Sequence, residues 1–146
     1  MNELKIKKVR NNAIIPQKST SGSAGYDLFA CIESPVTVMP SQIAKIPTGI
    51  AIAIDTQDYA AFIFGRSGLG IKYGIAPSNA VGVVDSDYRG EIVVGLANHT
   101  DMPYEINPND RIAQMIIMPV ANPQLVLCSE LDETQRGSGG FGSTGR

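Results

Sequence analysis

The residues best equipped for chemistry sit in one stretch, Gly82-Val-Val-Asp-Ser-Asp-Tyr-Arg-Gly-Glu91. It carries the carboxylates Asp85, Asp87 and Glu91, together with Tyr88 and Arg89. Asp85 directly follows Val83 and Val84. A carboxylate held against apolar walls loses hydration and becomes a better base, able to take a proton from an attacking water. Tyr88 adds a flat, rigid surface suited to a planar ligand. Alone, the stretch reads equally as a polar turn whose Asp side chains bond nearby backbone N–H groups.

Four other stretches could serve the same site. Ser-Ala-Gly-Tyr-Asp-Leu, residues 23–28, places Asp27 at the start of a strand. There it can hold Mg²⁺, directly or through water, because that ion keeps several waters and needs few carboxylates; it can also be a plain strand-edge Asp. In Gly-Arg-Ser-Gly-Leu-Gly, residues 65–70, Arg66, the Ser67 hydroxyl and the free N–H groups of a helix start would converge on an anion. A Ser N-cap beside a solvated Arg accounts for the same residues. It is not a nucleophile elbow, because position 69 is Leu. Asn-Asp-Arg-Ile-Ala-Gln, residues 109–114, ends on Gln114, which can orient a water or a phosphate oxygen, or simply close a loop-to-strand junction. The last stretch is the C-terminal Arg136-Gly-Ser-Gly-Gly-Phe-Gly-Ser-Thr-Gly-Arg146. Gly137 to Thr144 nearly spells a phosphate-binding loop, with Ser143 in place of Lys and no helix after it. So Gly-rich a segment cannot pack a core and reads as a disordered tail. It reads also as a mobile strap that lays Arg136 and N–H groups on phosphates and Phe141 over a base.

Strands must position these residues. Alternation predicts strands at 3–9, 26–32, 36–39, 43–54, 59–64, 111–120 and 125–128. The runs Val81–Val84 and Ile92–Leu96 flank the polar stretch and predict a β-hairpin. The only helix candidate is Ser67 to about Tyr73. Short, evenly spaced strands punctuated by fifteen Gly and nine Pro point to an all-β barrel or jelly roll.

Composition narrows the function. A chain of 146 residues suggests one domain with its own core. A net charge of −2 argues against broad nucleic-acid binding. No apolar run is long enough to span a membrane as a helix, and the charged N-terminus is not a signal peptide. Cys31 and Cys128 are then expected as free thiols in the cytoplasm. One His and two scattered Cys do not make a zinc site.

Taken in order, SAGYDL, GRSGLG, GVVDSDYRGE, NDRIAQ and RGSGGFGSTG resemble the five motifs of the trimeric dUTP pyrophosphatases, the dUTPases. They run from residue 23 to 145, nearly the whole chain. The resemblance implies hydrolysis of dUTP to dUMP and pyrophosphate with Mg²⁺, keeping uracil out of DNA and supplying dUMP for dTMP synthesis. It implies an all-β, jelly-roll-like distorted barrel of the β-clip type, with one short helix and a flexible tail. The barrel would span 1–133 and the tail 134–146. It implies a homotrimer whose active sites are shared between subunits, and no nucleic-acid or membrane partner. By motif, Asp85 matches the general base that activates the water attacking the α-phosphorus. Tyr88 matches the ring under the deoxyribose that leaves no room for a 2′-hydroxyl. Asn79 matches a uracil contact, the backbone at Val83 and Val84 a reader of the uracil edge, and Val93 a sugar contact. Arg66, Ser67, Gly68 and Gln114 match phosphate contacts, and Asp27 the residue that reaches Mg²⁺ through water. Arg136 matches the tail contact to the γ-phosphate. Phe141, with Gly142 and Ser143, matches the segment that closes over the nucleotide.

Two positions depart from the pattern. Asn109 stands where Gly is usual, and Asn tolerates the positive φ of such a turn. Gly70 stands where Ala is frequent. A dCTP deaminase of the same superfamily is the nearest alternative activity, and a nucleotide sensor on the same fold is the alternative without catalysis. A Ser–His–Asp hydrolase built on Ser67 and His99 lacks the nucleophile elbow.

Overall fold

Four small antiparallel sheets wrap around a core of Leu28, Ile46, Ile50, Ile75, Leu96, Ile106, Ile112 and Met115, all fully buried. The structure, a computed structural model, describes residues 3–140. Its elements in chain order are β1 Lys5–Lys8, β2 Tyr26–Phe29, β3 Val36–Val38, β4 Ile43–Pro47, β5 Ile50–Ala53 and β6 Tyr59–Phe64. The helix α1 Ser67–Tyr73 follows, then β7 Ile75–Pro77, β8 Gly82–Val84, β9 Val93–Asn98, β10 Tyr104–Ile106 and β11 Arg111–Pro119. The sheets run β2-β11-β6-β8, β4-β9-β7, β1-β5 and β10-β3. This is the expected all-β, jelly-roll-like architecture with one short helix.

The longest strand organises the site. β11 pairs on one edge with β2, placing Gln114 opposite Asp27. On its other edge it pairs with β6, placing Gln114 opposite Phe64. Phe64 is the last residue of β6, so Gly65, Arg66 and the start of α1 emerge beside Asp27 and Gln114. The register of one strand thus gathers three stretches far apart in sequence.

Three expectations change. The run 43–54 is two strands, because the chain turns at Thr48-Gly49. Gly49 has φ +71°, and an added Cβ would lie 2.6 Å from both the Ala13 Cβ and the Cys31 Sγ. The hairpin predicted across 85–91 does not form. β8 pairs with β6, whereas both edges of β9 are taken, by β4 and β7. The polar stretch therefore bridges two sheets instead of turning within one. The strand predicted at 125–128 is absent. It has no ladder partner among the described residues, and Leu125 and Leu127 are 92% and 100% exposed. β7 and β10, too short to show a period, were not anticipated.

Candidate active site

The turn after β7, strand β8, the polar stretch and the start of β9 enclose a cleft of about 310 Å³. Asn79, Val83, Val84, Asp85, Tyr88 and Val93 all line it, so six of the expected site residues meet in one place. The turn is tight: Ala80 has φ +61° and donates its N–H to Pro77 O at 3.0 Å. Ser78 donates its N–H to Gly95 O at 2.8 Å. A Cβ on Gly95 would come within 2.7 Å of the Ser78 Oγ, so glycine permits this approach of turn to sheet.

Within the polar stretch, Tyr88 N–H donates to Asp85 O at 3.2 Å, closing a turn. The Tyr88 ring folds over Gly90, where any Cβ would collide with its hydroxyl. That hydroxyl donates to Glu91 O at 3.0 Å. Asp85 is exposed. The apolar walls expected from Val83 and Val84 are not provided by this chain: neighbouring strand residues point to opposite faces, and Val84 is buried while Val83 is 59% exposed.

A second cluster surrounds Asp27, which is buried. Its Oδ1 accepts from Arg66 Nε at 2.8 Å. Its Oδ2 accepts from Ser19 Oγ at 2.9 Å and from Arg111 Nη1 at 3.3 Å. Gln114 Nε2 donates to Gly65 O at 2.9 Å, and a Cβ on Gly25 would meet its Oε1 at 2.9 Å. Arg66, not Ser67, is the extended residue that precedes α1, and it provides no side-chain cap. The Ser N-cap reading is therefore corrected: Ser67 is the first helical residue and Ser67 and Gly68 are exposed. Asn109 adopts φ +69°, as its replacement of Gly requires.

The two clusters share no lining residue. Arg66, Gly68 and Arg111 border a separate groove of about 350 Å³ with Lys72, Tyr73 and Tyr104. Arg136 is exposed, and its Nε donates to Gly139 O at 2.8 Å within its own segment. Phe141, Gly142 and Ser143 lie outside the described residues.

Sequence reasoning missed a third feature. Arg10 grips Glu91 with two parallel bonds, Nε to Oε1 at 2.7 Å and Nη2 to Oε2 at 2.9 Å. Gly49 N–H donates to the same carboxylate at 2.8 Å. The Arg10 bond holds the Glu91 carboxyl below the usual range, with the Gly49 bond adding to it against partial burial. Eighty-one residues separate the pair, so no local spacing announces it. Ser19 and Arg111, the other partners of Asp27, were also missed.

Among the described residues no group of three or more His, Cys, Asp or Glu could hold a metal. Asp27 is a lone carboxylate already accepting three contacts. A carboxylate offers about four acceptor sites, so one more, to a metal-bound water, fits. Direct ligation within a protein cage does not.

A family model described as dUTPase matches residues 11–145. The deoxyuridine 5'-triphosphate nucleotidohydrolase of Desulfitobacterium hafniense (strain DSM 10664 / DCB-2) is 50% identical, covering 99% of each chain. The protein of the same name from Burkholderia cenocepacia (strain HI2424) is 46% identical, covering 99% of this chain and 97% of its own. Among solved structures, a mutant dUTPase of Staphylococcus bacteriophage 80alpha with dUpNHpp superimposes with a TM-score of 0.86 at 25% identity, covering 100% of both chains. A mutant dUTPase from phage phi11 of S. aureus, described for its coordination of a structural Mg(II) ion, shares the fold with a TM-score of 0.81 at 24% identity, covering 90% of this chain and 100% of its own. The chain belongs to the dUTPase family.

Proposed function

We propose how this member of the dUTPase family, a dUTP diphosphatase, carries out its reaction. The deoxyuridine half of dUTP occupies the cleft between Asn79, Val83, Val84 and Val93. Asn79 and the β8 backbone read the uracil edge, and Tyr88 stacks under the deoxyribose where a 2′-hydroxyl would collide with its ring. Asp85, beside the sugar, takes a proton from the water that attacks the α-phosphorus. The bond to the bridging oxygen breaks, and dUMP and pyrophosphate leave. Arg66, Ser67, Gly68 and Gln114 bind the phosphate oxygens. The tail closes over the nucleotide, with Arg136 on the γ-phosphate and Phe141, Gly142 and Ser143 along the base and phosphates. Closure excludes water and fixes the triphosphate for in-line attack. When bound, Mg²⁺ would neutralise charge on the phosphates, and Asp27 would be the residue to hold it, through water.

The observation that supports this reading is the convergence of six residues on one cleft, while Arg66 and Gly68, two of the residues assigned here to the phosphates, border a different groove. A single chain thus offers two half-sites. We infer a homotrimer in which the cleft of one subunit faces the Arg66–Gln114 cluster of another. A neighbour covering Asp85 would supply the desolvation that this chain alone lacks. The exposed run Leu125–Cys128 supplies apolar, strand-forming surface for the same contact. Cys31 and Cys128 are both free thiols, a state suited to the cytoplasm. No helix of the described residues is long and apolar enough to cross a membrane. There the product dUMP would feed dTMP synthesis while uracil is kept from DNA.

Pyrophosphate release measured across dUTP, dTTP, dCTP and UTP tests the reading. Release from dUTP alone is expected. Ammonia release from dCTP would instead identify a deaminase, and tight dUTP binding without turnover would identify a sensor.

A further inference from the structure

The polar stretch that carries Asp85 and Tyr88 is anchored at its downstream end, at the edge of the cleft, by a set of contacts centred on Glu91. The Glu91 carboxylate takes two bonds from Arg10 and one from the Gly49 N–H. The Glu91 carbonyl receives the Tyr88 hydroxyl. One residue later, Ile92 N–H donates to Ile50 O at 2.9 Å, and the buried Thr48 hydroxyl donates to Ile92 O at 2.6 Å. Val9 N–H donates to Gly49 O at 2.8 Å, which ties the Arg10 segment to the same turn. The N-terminal segment and the β4–β5 turn therefore meet at Glu91.

We propose that Arg10 and Glu91 are positioning residues: their ion pair fixes the Glu91 carbonyl from which the Tyr88 hydroxyl hangs, and so sets how closely the Tyr88 ring approaches the sugar. The proposal rests on the reading that Tyr88 excludes the 2′-hydroxyl. Gly90 leaves the ring room to lie against the chain but adds no stiffness of its own. Arg10 does not line the cleft; Glu91 does, but its carboxylate is occupied by Arg10 and the Gly49 N–H. Arg10 is about half exposed at its side chain (47%), so its replacement leaves no buried charge of its own. The bidentate Arg–carboxylate geometry is the directional form of such a pair, which suits it to hold a carbonyl in register.

The experiment compares Arg10→Met, Arg10→Lys, Glu91→Gln and Tyr88→Ala with the wild type by two readouts. The first is kcat/KM for dUTP against UTP. The second is amide hydrogen exchange over residues 85–91 in the nucleotide-free protein. Arg10→Met and Glu91→Gln should speed exchange and narrow the dUTP/UTP ratio by up to about a hundredfold, the scale set by a misplacement of about 1 Å. The narrowing should include improved use of UTP in absolute terms, whereas any fall in kcat caused by displacement of Asp85 should be shared by the two nucleotides and cancel in the ratio. Arg10→Lys, which keeps the charge but not the fork, should fall between. Exchange that stays at the wild-type rate in both Arg10→Met and Glu91→Gln overturns the clamp. Faster exchange with an unchanged ratio, while Tyr88→Ala narrows it, overturns its part in sugar selection. A ratio unmoved by Tyr88→Ala removes the sugar reading itself and with it the selectivity claim, and exchange alone then decides whether the clamp holds the loop.

Discussion

Asp27 Oδ1 and Arg66 Nε are 2.8 Å apart, joined across 39 residues of sequence. Their side chains are only 11% and 23% exposed, so the pair lies where charge-assisted bonds count. It aligns the start of α1 with β2 and holds the Arg66 fork in a fixed direction. Asp27→Asn should lower stability by about 1.5–3 kcal/mol, the usual range for a bond to a charged group. Because Arg66 would then be free to swing, KM for dUTP should rise as well. Urea unfolding and steady-state kinetics on the same variant check both. A variant with unchanged KM would show that Asp27 only braces the fold.

Asp85→Asn should abolish most turnover while leaving dUTP binding largely intact. Asn is nearly isosteric and can still hydrogen-bond, but it cannot accept the proton. Loss of a general base typically costs ~10²–10⁴ in rate. Single-turnover hydrolysis and calorimetric binding separate the two effects. A kcat within about threefold of wild type, well outside that range, would place the base elsewhere.

Acidification should loosen the site through Glu91. Its carboxyl is held below the ordinary glutamate value of about 4.3, first by the Arg10 bond. A depressed folded pKa gives stability that is present above the unfolded value and lost as pH falls through the folded one. The wild type should therefore lose more stability between about pH 5 and pH 3 than Glu91→Gln, which has no proton to take up there. Urea midpoints against pH for the two proteins give the comparison, and parallel curves would deny the ion pair any part in acid stability.

Local pattern revealed what local physics decides. β6 and α1 have the expected bounds because alternation, a Gly break and a short helical run are all contiguous. Of the cleft residues, Val83, Val84, Asp85 and Tyr88 were legible because they lie in one stretch, whereas Asn79 and Val93 entered only through the family resemblance. What escaped was decided by pairing between distant segments. The run Ile92–Leu96 cannot show in sequence that both its edges are claimed by β4 and β7. Arg10 cannot show that its partner lies 81 residues away. The apolar run at 125–128 reads in sequence as one more strand, but it pairs with no other strand among the described residues and is exposed, which a local pattern cannot show.

The proposed sharing of sites between subunits has a decisive test in mixed oligomers. Asp85→Asn destroys the half-site built on the cleft, and Arg66→Ala destroys the half-site built on α1. Each homotrimer should be nearly inactive. If one active site takes Asp85 from one subunit and Arg66 from its neighbour, some sites in a mixed trimer receive the intact half from each variant. Such a site needs its cleft from an Arg66→Ala subunit and its phosphate cluster from an Asp85→Asn subunit. With equal mixing in a closed ring, each choice is made half the time, so about a quarter of sites should be whole. Co-refolded or co-expressed variants should thus recover about a quarter of wild-type dUTP turnover, whereas the separate variants mixed without subunit exchange should recover none. Light scattering on the same sample reports whether trimers are present. Trimers that exchange subunits yet stay inactive would show that Asp85 and Arg66 act from the same chain, and the two-half-site reading would fall.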